Sequence, residues 1–203
     1  MEKKLAWGIL GTGLIAKIMA KGLNASSTGQ LAAVASRNKD SANRFGDEFK
    51  VPRRYGSYAE LLADKTIDVV YISLPNSLHA EWAIRCAEAG KHILCEKPLT
   101  SNHAEAVKVI EACRRHDVFL LEAFMYRCHP HAAKVFELVK SGAIGDVRLI
   151  QSSLCFPLGD HPDNIRCLAS CSGGSIMDVG CYSMSMARLI AGAALGLNGP
   201  AEP

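Results

Sequence analysis

Several absences in the sequence narrow the class of protein. Eight cysteines occur in 203 residues, but no two form a C-x-x-C pair, and the spacing around Cys128, Cys167 and Cys171 fits no zinc template. The formal net charge of +3 is too small to indicate binding to nucleic acid or to an anionic membrane. The most apolar late stretch, residues 187–197, is far shorter than the ~20 residues that span a bilayer. We therefore expect no metal site, no nucleic-acid partner and no membrane partner.

The amino terminus also lacks the pattern of an export signal. MEKKLAWGILG passes from charged residues directly into a strand pattern, without a long apolar segment and a small-residue cleavage site. Most cysteines lie within apolar strand or helix patterns, where a free cysteine behaves as a small hydrophobic residue. Reduced thiols without an export signal predict a cytoplasmic protein.

The first part of the chain alternates between strand and helix patterns. Strands are predicted at 5–10, 30–36, 68–73, 91–95 and 118–121, and helical segments at 14–23, 41–49, 58–63, 78–89 and 104–116. This alternation predicts an α/β fold of the Rossmann type, a doubly wound parallel sheet with helices on both faces. We predict a dinucleotide-binding domain over residues 1–122.

The alternation of strand and helix patterns ends near Glu122. A helix is predicted at 130–140, a long strand at 147–156 and a helix at 175–191. A single long strand cannot form a stable sheet by itself. Either this strand joins another sheet, or the second domain, residues 123–203, is incomplete.

A glycine-rich turn follows the first predicted strand and opens the first predicted helix. Its sequence, GTGLIA, has the G-x-G-x-x-A pattern, in which the glycines allow a tight turn and a close approach of a pyrophosphate to the helix amino terminus. Glycines also mark ordinary turns, but the strand before and the helix after this one favour dinucleotide binding. The expected cofactor contacts are Gly11, Thr12, Gly13, Leu14 and Ile15.

The end of the second predicted strand indicates which cofactor binds. NAD sites usually place a carboxylate there for the ribose hydroxyls, whereas this chain reads Ser36-Arg37-Asn38-Lys39. Arg37 can hold a 2′-phosphate bidentately or lie against the adenine. The alternative is that Arg37 and Lys39 are solvated loop charges. The pattern favours NADP over NAD, with contacts at Ser36 and Arg37.

Two further segments follow central strands, at the edge where open α/β sheets bind ligands. In the first, Leu74, Pro75 and Asn76 are expected to line the nicotinamide ribose, and His79 has either a cofactor role or a packing role, with no preference between them. In the second, Glu96-Lys97-Pro98, the proline restricts the backbone beside Lys97.

Lys97 is the candidate for proton chemistry in this second segment. Nearby positive charge and partial burial are expected to lower its pKa from the usual ~10.4, so that it can move a proton or polarise a carbonyl. The alternative is an ordinary surface lysine. Glu96 is included among the cofactor contacts.

Another constellation lies in the segment GGSIMDVGCY. Asp178 and Tyr182 are four residues apart, so in an α-helix they share one face, just after Gly173 and Gly174. A carboxylate and a phenol on that face can both project into a cleft. An exposed aspartate and a half-buried aromatic are equally common on any helix, so the pattern leaves both readings open.

Taken together and in this order, the motifs resemble the glucose–fructose oxidoreductase / inositol dehydrogenase (Gfo/Idh/MocA) family. The segments that carry the resemblance cover essentially the whole chain: GILGTGLIA, ASRN, LPNSLHAEWAIRCAEAGKHILCEKPL, EAFMYRCHP, SGAIGDVRLI, NIR and GGSIMDVGCY. Many members have histidine where this chain has Tyr182. Tyrosine there resembles the branch that includes NADP-dependent xylose dehydrogenase and trans-dihydrodiol dehydrogenase.

The resemblance implies roles for several residues. Lys97 lies by the nicotinamide and substrate, Tyr182 is the acid/base whose pKa Lys97 helps to lower from ~10, and Asp178 orients the substrate or Tyr182. Tyr126 and Arg166 contact the substrate. Between NIR and the glycines, residues 167–172 depart from the acidic, proline-containing turn of relatives, which puts the geometry of the substrate loop in question.

The resemblance also implies a longer protein. Members run on for roughly another hundred residues, which form most of the sheet of an α+β substrate and oligomerisation domain. The chain is therefore expected to be truncated at its carboxyl end, with a homodimer possible if the missing sheet is supplied.

The expected function is an NADP-dependent oxidoreductase acting on a CH–OH/C=O carbon of a sugar or cyclic diol. The alternatives are a truncated, non-catalytic NADP(H)-binding protein and an imine or enone reductase.

Overall fold

The structure is a computed structural model that describes residues 4–159 and 161–202. Contacts between residues divide the chain into two compact units, with the division between Ala123 and Phe124. The predicted domain ranges and their roles stay predictions. Within the described residues, no helix is both long enough and apolar enough to cross a membrane.

Over its described residues, the first unit contains six strands and five α-helices, in the alternating order that the sequence predicts apart from one short additional strand, the third. In chain order they are β1 Leu5–Leu10, α1 Leu14–Ala25, β2 Gly29–Ala35, α2 Lys39–Phe49, β3 Arg53–Tyr55, α3 Tyr58–Ala63, β4 Val69–Ile72, α4 His79–Glu88, β5 His92–Cys95, α5 His103–Arg115 and β6 Leu120–Glu122.

The six strands form one parallel sheet in the order β3-β2-β1-β4-β5-β6. This is the Rossmann order, in which the direction of winding reverses between β1 and β4. The reversal leaves a crevice at the carboxyl ends of these two strands. The predicted fold class is confirmed.

Helices cover both faces of the sheet because alternate strand residues point to opposite faces. Within β1, Ile9 packs with α1 and α2, whereas Leu10 packs with α3, α4 and α5; both are fully buried. Burial on both faces explains why β1, β2 and β4 appear in the sequence as nearly continuous apolar runs.

Lys91, directly before β5, binds the segment that connects α3 to β4. Its side chain is 3% exposed, and its Nζ donates to the carbonyls of Asp64 and Ile67 at 2.7 and 2.8 Å. Burial, assisted by the charge of Lys65, lowers the pKa of the Lys91 ammonium. Lys91 thus supplies two of the hydrogen bonds that hold the segment between α3 and β4.

We expect Lys91→Met to lower the free energy of unfolding by about 1–3 kcal/mol, because the Ile67 carbonyl would lose its Lys91 donor in a buried setting and the Asp64 carbonyl would keep only the Ile67 N–H. Urea unfolding followed by the fluorescence of Trp7 and Trp82 would measure this, since both tryptophans lie in the first unit. The exposed Lys65→Met is the matched control and should change stability by less than about 0.5 kcal/mol. Equal effects of the two substitutions would contradict the assigned role.

The regular secondary structure described in the second unit is helical. It contains α6 Pro130–Lys140 and α7 Cys181–Ala194, and a π-helical turn, Ile176–Gly180, leads directly into α7. The helix predicted at 175–191 is therefore wrong at its start, because its first turn is wider than an α-helix.

The strand predicted at 147–156 is also wrong. These residues form no strand, and Leu149, Leu154 and Phe156 are exposed. Residues 147–150 instead line a groove of about 420 Å³ with Ala191 and Ala194 of α7 and with Leu195, which follows the helix. A run of β-forming residues needs a neighbouring strand for its backbone hydrogen bonds. The described part of the second unit contains no such strand.

Candidate active site

The first part of the site is the turn between β1 and α1, at the crevice in the sheet. Gly11 has φ = +102°, and a Cβ at this position would lie 2.9 Å from Ser73 Oγ and 3.0 Å from the Ser73 carbonyl oxygen. The Ser73 hydroxyl donates to the Leu10 carbonyl at 2.7 Å, which ties the ends of β4 and β1 together. Both its conformation and its surroundings therefore require glycine at residue 11.

Gly13 lies at the start of α1 and faces open space. It has φ = −74°, and no atom lies within 4 Å of the position a Cβ would take. Leu14, the first residue of the helix, is 76% exposed. Thr12 and Ile15 are partly exposed in the same turn. The turn thus presents its backbone to the crevice without a covering side chain.

The amino terminus of α1 has no side-chain cap and no acidic residue in its first turn. By contrast, α2, α3 and α5 are capped by Asn38, Ser57 and Asn102, and each has an acidic residue in its first turn. The first N–H groups of a helix attract anions when no side chain satisfies them. The residues present therefore fit the pyrophosphate of a dinucleotide.

Ser36 and Arg37 follow β2, at the same edge of the sheet. Ser36 is buried, its N–H donates to the Tyr55 carbonyl at 3.2 Å, and its Oγ accepts from the Asn38 N–H at 3.4 Å. Arg37 is exposed and lies beside the Tyr58 hydroxyl. Burial raises the pKa of Tyr58, and the Arg37 guanidinium partly offsets this rise. The exposed guanidinium of Arg37 can therefore bind a phosphate at this edge of the sheet.

The segment after β4 turns away from the sheet at Leu74 and Pro75 and enters a short 3₁₀ helix, Asn76–Leu78. Pro75 and Asn76 are partly exposed at the carboxyl edge, as the predicted ribose contacts require. His79 is buried, and its two ring nitrogens lie within hydrogen-bond distance of the Leu74 and Pro98 carbonyl oxygens. Of the two readings of His79, this geometry favours packing.

The Glu96-Lys97-Pro98 segment follows β5 and is held on several sides. The Glu96 N–H donates to the Ile72 carbonyl at 3.0 Å, and its carboxylate accepts from the Tyr71 hydroxyl. On the far side of the segment, the Leu99 N–H donates to Glu122 Oε1 at 2.8 Å. Lys97 itself is partly exposed.

Tyr71 and Glu122 are supporting residues that the sequence analysis missed. Tyr71 is 2% exposed in the middle of β4, where it appears as one more apolar strand residue. Glu122 ends β6, two strands away from Tyr71 in the sheet. The strands β4 and β6 pair with β5 on its two sides, and this parallel pairing places Tyr71 and Glu122 beside the Glu96-Lys97-Pro98 segment that follows β5.

In the second unit, Tyr182 belongs to an aromatic cluster. Its ring centroid lies 5.5 Å from that of Phe124, edge to face, and 6.2 Å from that of Tyr126. The Tyr126 hydroxyl lies 2.8 Å from Ser185 Oγ, and Arg127 Nη2 donates to the same Oγ at 2.9 Å. Ser185 and Arg127, which the sequence analysis missed, thus fix the ring next to Tyr182.

Asp178 and Arg166 form an ion pair in the same unit, with Arg166 Nε 3.1 Å from Asp178 Oδ2. The two glycines of the segment make this approach possible. A Cβ on Gly173 would lie 2.6 Å from the Arg166 carbonyl oxygen, and Gly174, at φ = +114°, donates its N–H to that oxygen at 2.7 Å. Because Asp178 lies in the π-helical turn, the α-helical spacing does not describe its relation to Tyr182.

The structure therefore assembles the predicted residues in two groups. In the first unit, the Gly11–Ile15 turn, Ser36-Arg37, the Leu74–Asn76 turn and Lys97 follow strands of one parallel sheet at its carboxyl edge. In the second unit, Tyr126 contacts Tyr182, and Arg166 contacts Asp178. Their functional roles stay predictions. Among the residues that the structure describes, no three His, Cys, Asp or Glu side chains are grouped as metal ligands.

A parallel sheet in this strand order, with an anion-accepting helix start at its crevice, defines a dinucleotide-binding protein of the Rossmann class. Comparison with protein families identifies the group more closely. Residues 5–124 match the Gfo/Idh/MocA model described as an oxidoreductase family with an NAD-binding Rossmann fold, and residues 132–196 match a Gfo/Idh/MocA C-terminal domain model. The chain belongs to the Gfo/Idh/MocA family of oxidoreductases, which confirms the resemblance seen in its motifs.

Curated relatives include dehydrogenases for sugars and diols. The chain is 46% identical over 189 residues to D-xylose 1-dehydrogenase (NADP(+)) 2 of Haloferax volcanii, covering 93% of this chain and 58% of that protein. It is 34% identical over 186 residues to trans-1,2-dihydrobenzene-1,2-diol dehydrogenase of Xenopus laevis, covering 91% and 56%. The chain thus spans little more than half the length of these relatives.

Solved structures agree with this assignment. KijD10, a 3-ketoreductase from Actinomadura kijaniata in complex with NADP and TDP-benzene, superposes with a TM-score of 0.87 at 34% identity, covering 93% of this chain and 58% of that one. An aldose-aldose oxidoreductase from Caulobacter crescentus superposes with a TM-score of 0.82 at 31% identity, covering 94% and 58%.

Proposed function

We propose that the chain is the NADP-binding and proton-transferring part of an oxidoreductase that acts on a CH–OH/C=O carbon of a sugar or cyclic diol. The observation that carries the proposal is the uncapped start of α1, with open space over Gly13, at the crevice of the sheet. The similarity to an NADP(+)-dependent xylose dehydrogenase and to KijD10 in complex with NADP supports the choice of cofactor. The similarity to the xylose and dihydrodiol dehydrogenases supports the choice of substrate class.

The cofactor, when bound, supplies hydride chemistry at its nicotinamide, and the chain supplies binding and proton transfer. Lys97 follows β5 at the carboxyl edge, where ligands bind in this fold, so its ammonium is assigned to the reacting end of the site. Tyr182 is assigned the proton of the reacting hydroxyl, because its phenol can both donate and accept. Asp178, paired with Arg166, is assigned to orientation.

Calorimetric titration of the purified chain with NADPH and with NADH is the first test. It would be followed by turnover assays with NADP⁺ and either D-xylose or trans-1,2-dihydrobenzene-1,2-diol. Tight NADPH binding with turnover supports the proposal. Binding without turnover would instead support a non-catalytic NADP(H)-binding protein, and absence of binding would contradict the proposal altogether.

We expect Arg37→Ala to weaken NADPH binding by about 10- to 100-fold and to leave NADH binding nearly unchanged, because only NADPH carries the 2′-phosphate that the guanidinium would hold. Titration of both cofactors measures the ratio. Arg115→Ala is the matched control, since it removes an equal charge from an exposed position in the last turn of α5. An equal loss for both cofactors would show that Arg37 does not select NADP.

A further inference from the structure

His79 joins two segments of the proposed cofactor site. It is the first residue of α4 and is 1% exposed. Its Nδ1 lies 2.7 Å from the Pro98 carbonyl oxygen, and its Nε2 lies 2.9 Å from the Leu74 carbonyl oxygen. One imidazole therefore bridges the segments that follow β4 and β5.

Pro98 is buried, so packing holds its ring and hydrogen bonding holds its backbone. Proline has no backbone N–H, so its carbonyl is the only backbone group through which a hydrogen bond can fix it. The neighbouring hydrogen bonds hold Glu96, through Tyr71, the Lys97 N–H, through Glu96 Oε2 at 3.3 Å, and Leu99, through Glu122. The contact from His79 is made to Pro98 itself, directly after Lys97.

We propose that His79 is a positioning residue that holds the backbone of Lys97-Pro98 against the Leu74 turn and so fixes the place of the Lys97 ammonium. The functional consequence rests on the proposed oxidoreductase activity. His79 itself touches neither substrate nor reacting atoms in this assignment, since both ring nitrogens face backbone carbonyls of the protein.

The protonation of the His79 ring decides which of the two carbonyls receives a hydrogen bond. Burial, assisted by the charge of Lys97, lowers the pKa of His79, while the two carbonyls and Glu96 oppose this shift. The neutral imidazole has a single N–H, so it donates to one carbonyl at a time. A substitution that keeps a donor at only one ring position can therefore separate the two contacts.

His79→Asn and His79→Gln form a matched pair for this purpose. The asparagine amide takes the place of Nδ1 and can still donate to the Pro98 carbonyl, whereas the longer glutamine amide takes the place of Nε2 and can reach only the Leu74 carbonyl. With the ring proton on Nδ1, the asparagine keeps the hydrogen bond to Pro98 and the glutamine loses it, so His79→Gln should be the less stable of the two variants.

We expect the two variants to differ in what happens at Lys97. Acylation by acetic anhydride, read by mass spectrometry without cofactor, should label Lys97 at the wild-type rate in His79→Asn. In His79→Gln the rate should be at least about threefold higher, because the Pro98 carbonyl directly after Lys97 loses its donor. Exposed Lys65 and Lys108 serve as internal standards. In turnover, His79→Gln should lose about 10-fold or more in kcat, with KM for NADP⁺ little changed.

Equal labelling of Lys97 in the two folded variants would overturn the proposal, as would a glutamine variant that labels like wild type. The labelling measurement does not depend on turnover, so it decides the role of His79 even where the proposed activity fails. If thermal unfolding shows that one variant is not folded, Glu122→Gln provides the comparison. It weakens the hydrogen bond of the Leu99 N–H while keeping His79, and it should raise the labelling of Lys97 less than His79→Gln does. Equal or greater labelling in Glu122→Gln would overturn the proposal.

Discussion

Tyr182→Phe should reduce kcat by about 10²- to 10⁴-fold while NADPH binding stays within about twofold of wild type. The substitution removes only the phenolic hydroxyl. The edge-to-face contact with Phe124 and the contact with Tyr126 depend on the ring and are kept. A loss in kcat therefore reports the proton and not the packing of α7. Steady-state kinetics with NADP⁺ and D-xylose or the dihydrodiol, together with calorimetry for NADPH, would measure both quantities.

Tyr55→Phe is the control for this experiment. It removes a partly buried phenolic hydroxyl that donates to Asp64 Oδ2 at 2.9 Å in the first unit and that has no assigned part in proton transfer. Its kcat should remain at the wild-type value. If Tyr182→Phe also turned over at the wild-type rate, the proton would have to be assigned to another group, with Lys97 the first candidate.

The sequence predicted the Rossmann sheet because its central strands carry the signal of burial on both faces. The runs that form β1, β2 and β4 are apolar at successive positions, and each is followed by a helix with its own periodicity. The strand β3 was not predicted, because its three residues are Arg53, Arg54 and Tyr55. Only pairing with β2 makes this edge segment a strand.

The second unit shows the limit of local patterns. Residues 147–156 have the composition of a strand, but strand formation needs a partner, and local composition does not supply one. The π-helical turn before α7 is a similar case, since a one-residue widening of a helix leaves no periodic signal. The contact of Arg166 with Asp178 depends on the close approach allowed by Gly173, which only the folded backbone reveals.

The candidate site was predictable where its chemistry follows a strand end. The glycine turn, Ser36-Arg37 and Lys97 each follow a recognisable strand, and the geometry of parallel sheets brings strand ends to one edge. His79 shows what sequence reasoning could not decide. A histidine on the first turn of a helix is compatible with cofactor binding and with packing, and the choice depends on two carbonyls contributed by distant segments.

Gly13→Ala should weaken NADPH and NADH binding by about 10- to 100-fold while the stability of the protein changes by no more than about 1 kcal/mol. The backbone of Gly13, at φ = −74°, suits alanine, and nothing in the protein lies within 4 Å of the added methyl group. The lower chain entropy of the unfolded state favours alanine, whereas the N-cap position of α1 favours glycine, so the net change in stability should stay within about 1 kcal/mol. The same methyl group would occupy the space in which a pyrophosphate approaches the N–H groups of α1. Calorimetry would measure the loss of cofactor affinity, and thermal unfolding would measure the change in stability.

Two other glycines make the interpretation of this result specific. Gly22→Ala also adds a methyl group in open space, within α1 but away from its start, so it should stabilise the helix by about 0.5–1 kcal/mol and leave binding unchanged. Gly11→Ala should lose stability and binding together, because its positive φ and its contact with Ser73 both exclude a Cβ. Wild-type affinity in Gly13→Ala would mean that the cofactor phosphates do not cross the start of α1. The proposed function would then lose the observation that carries it, whatever the outcome for Tyr182.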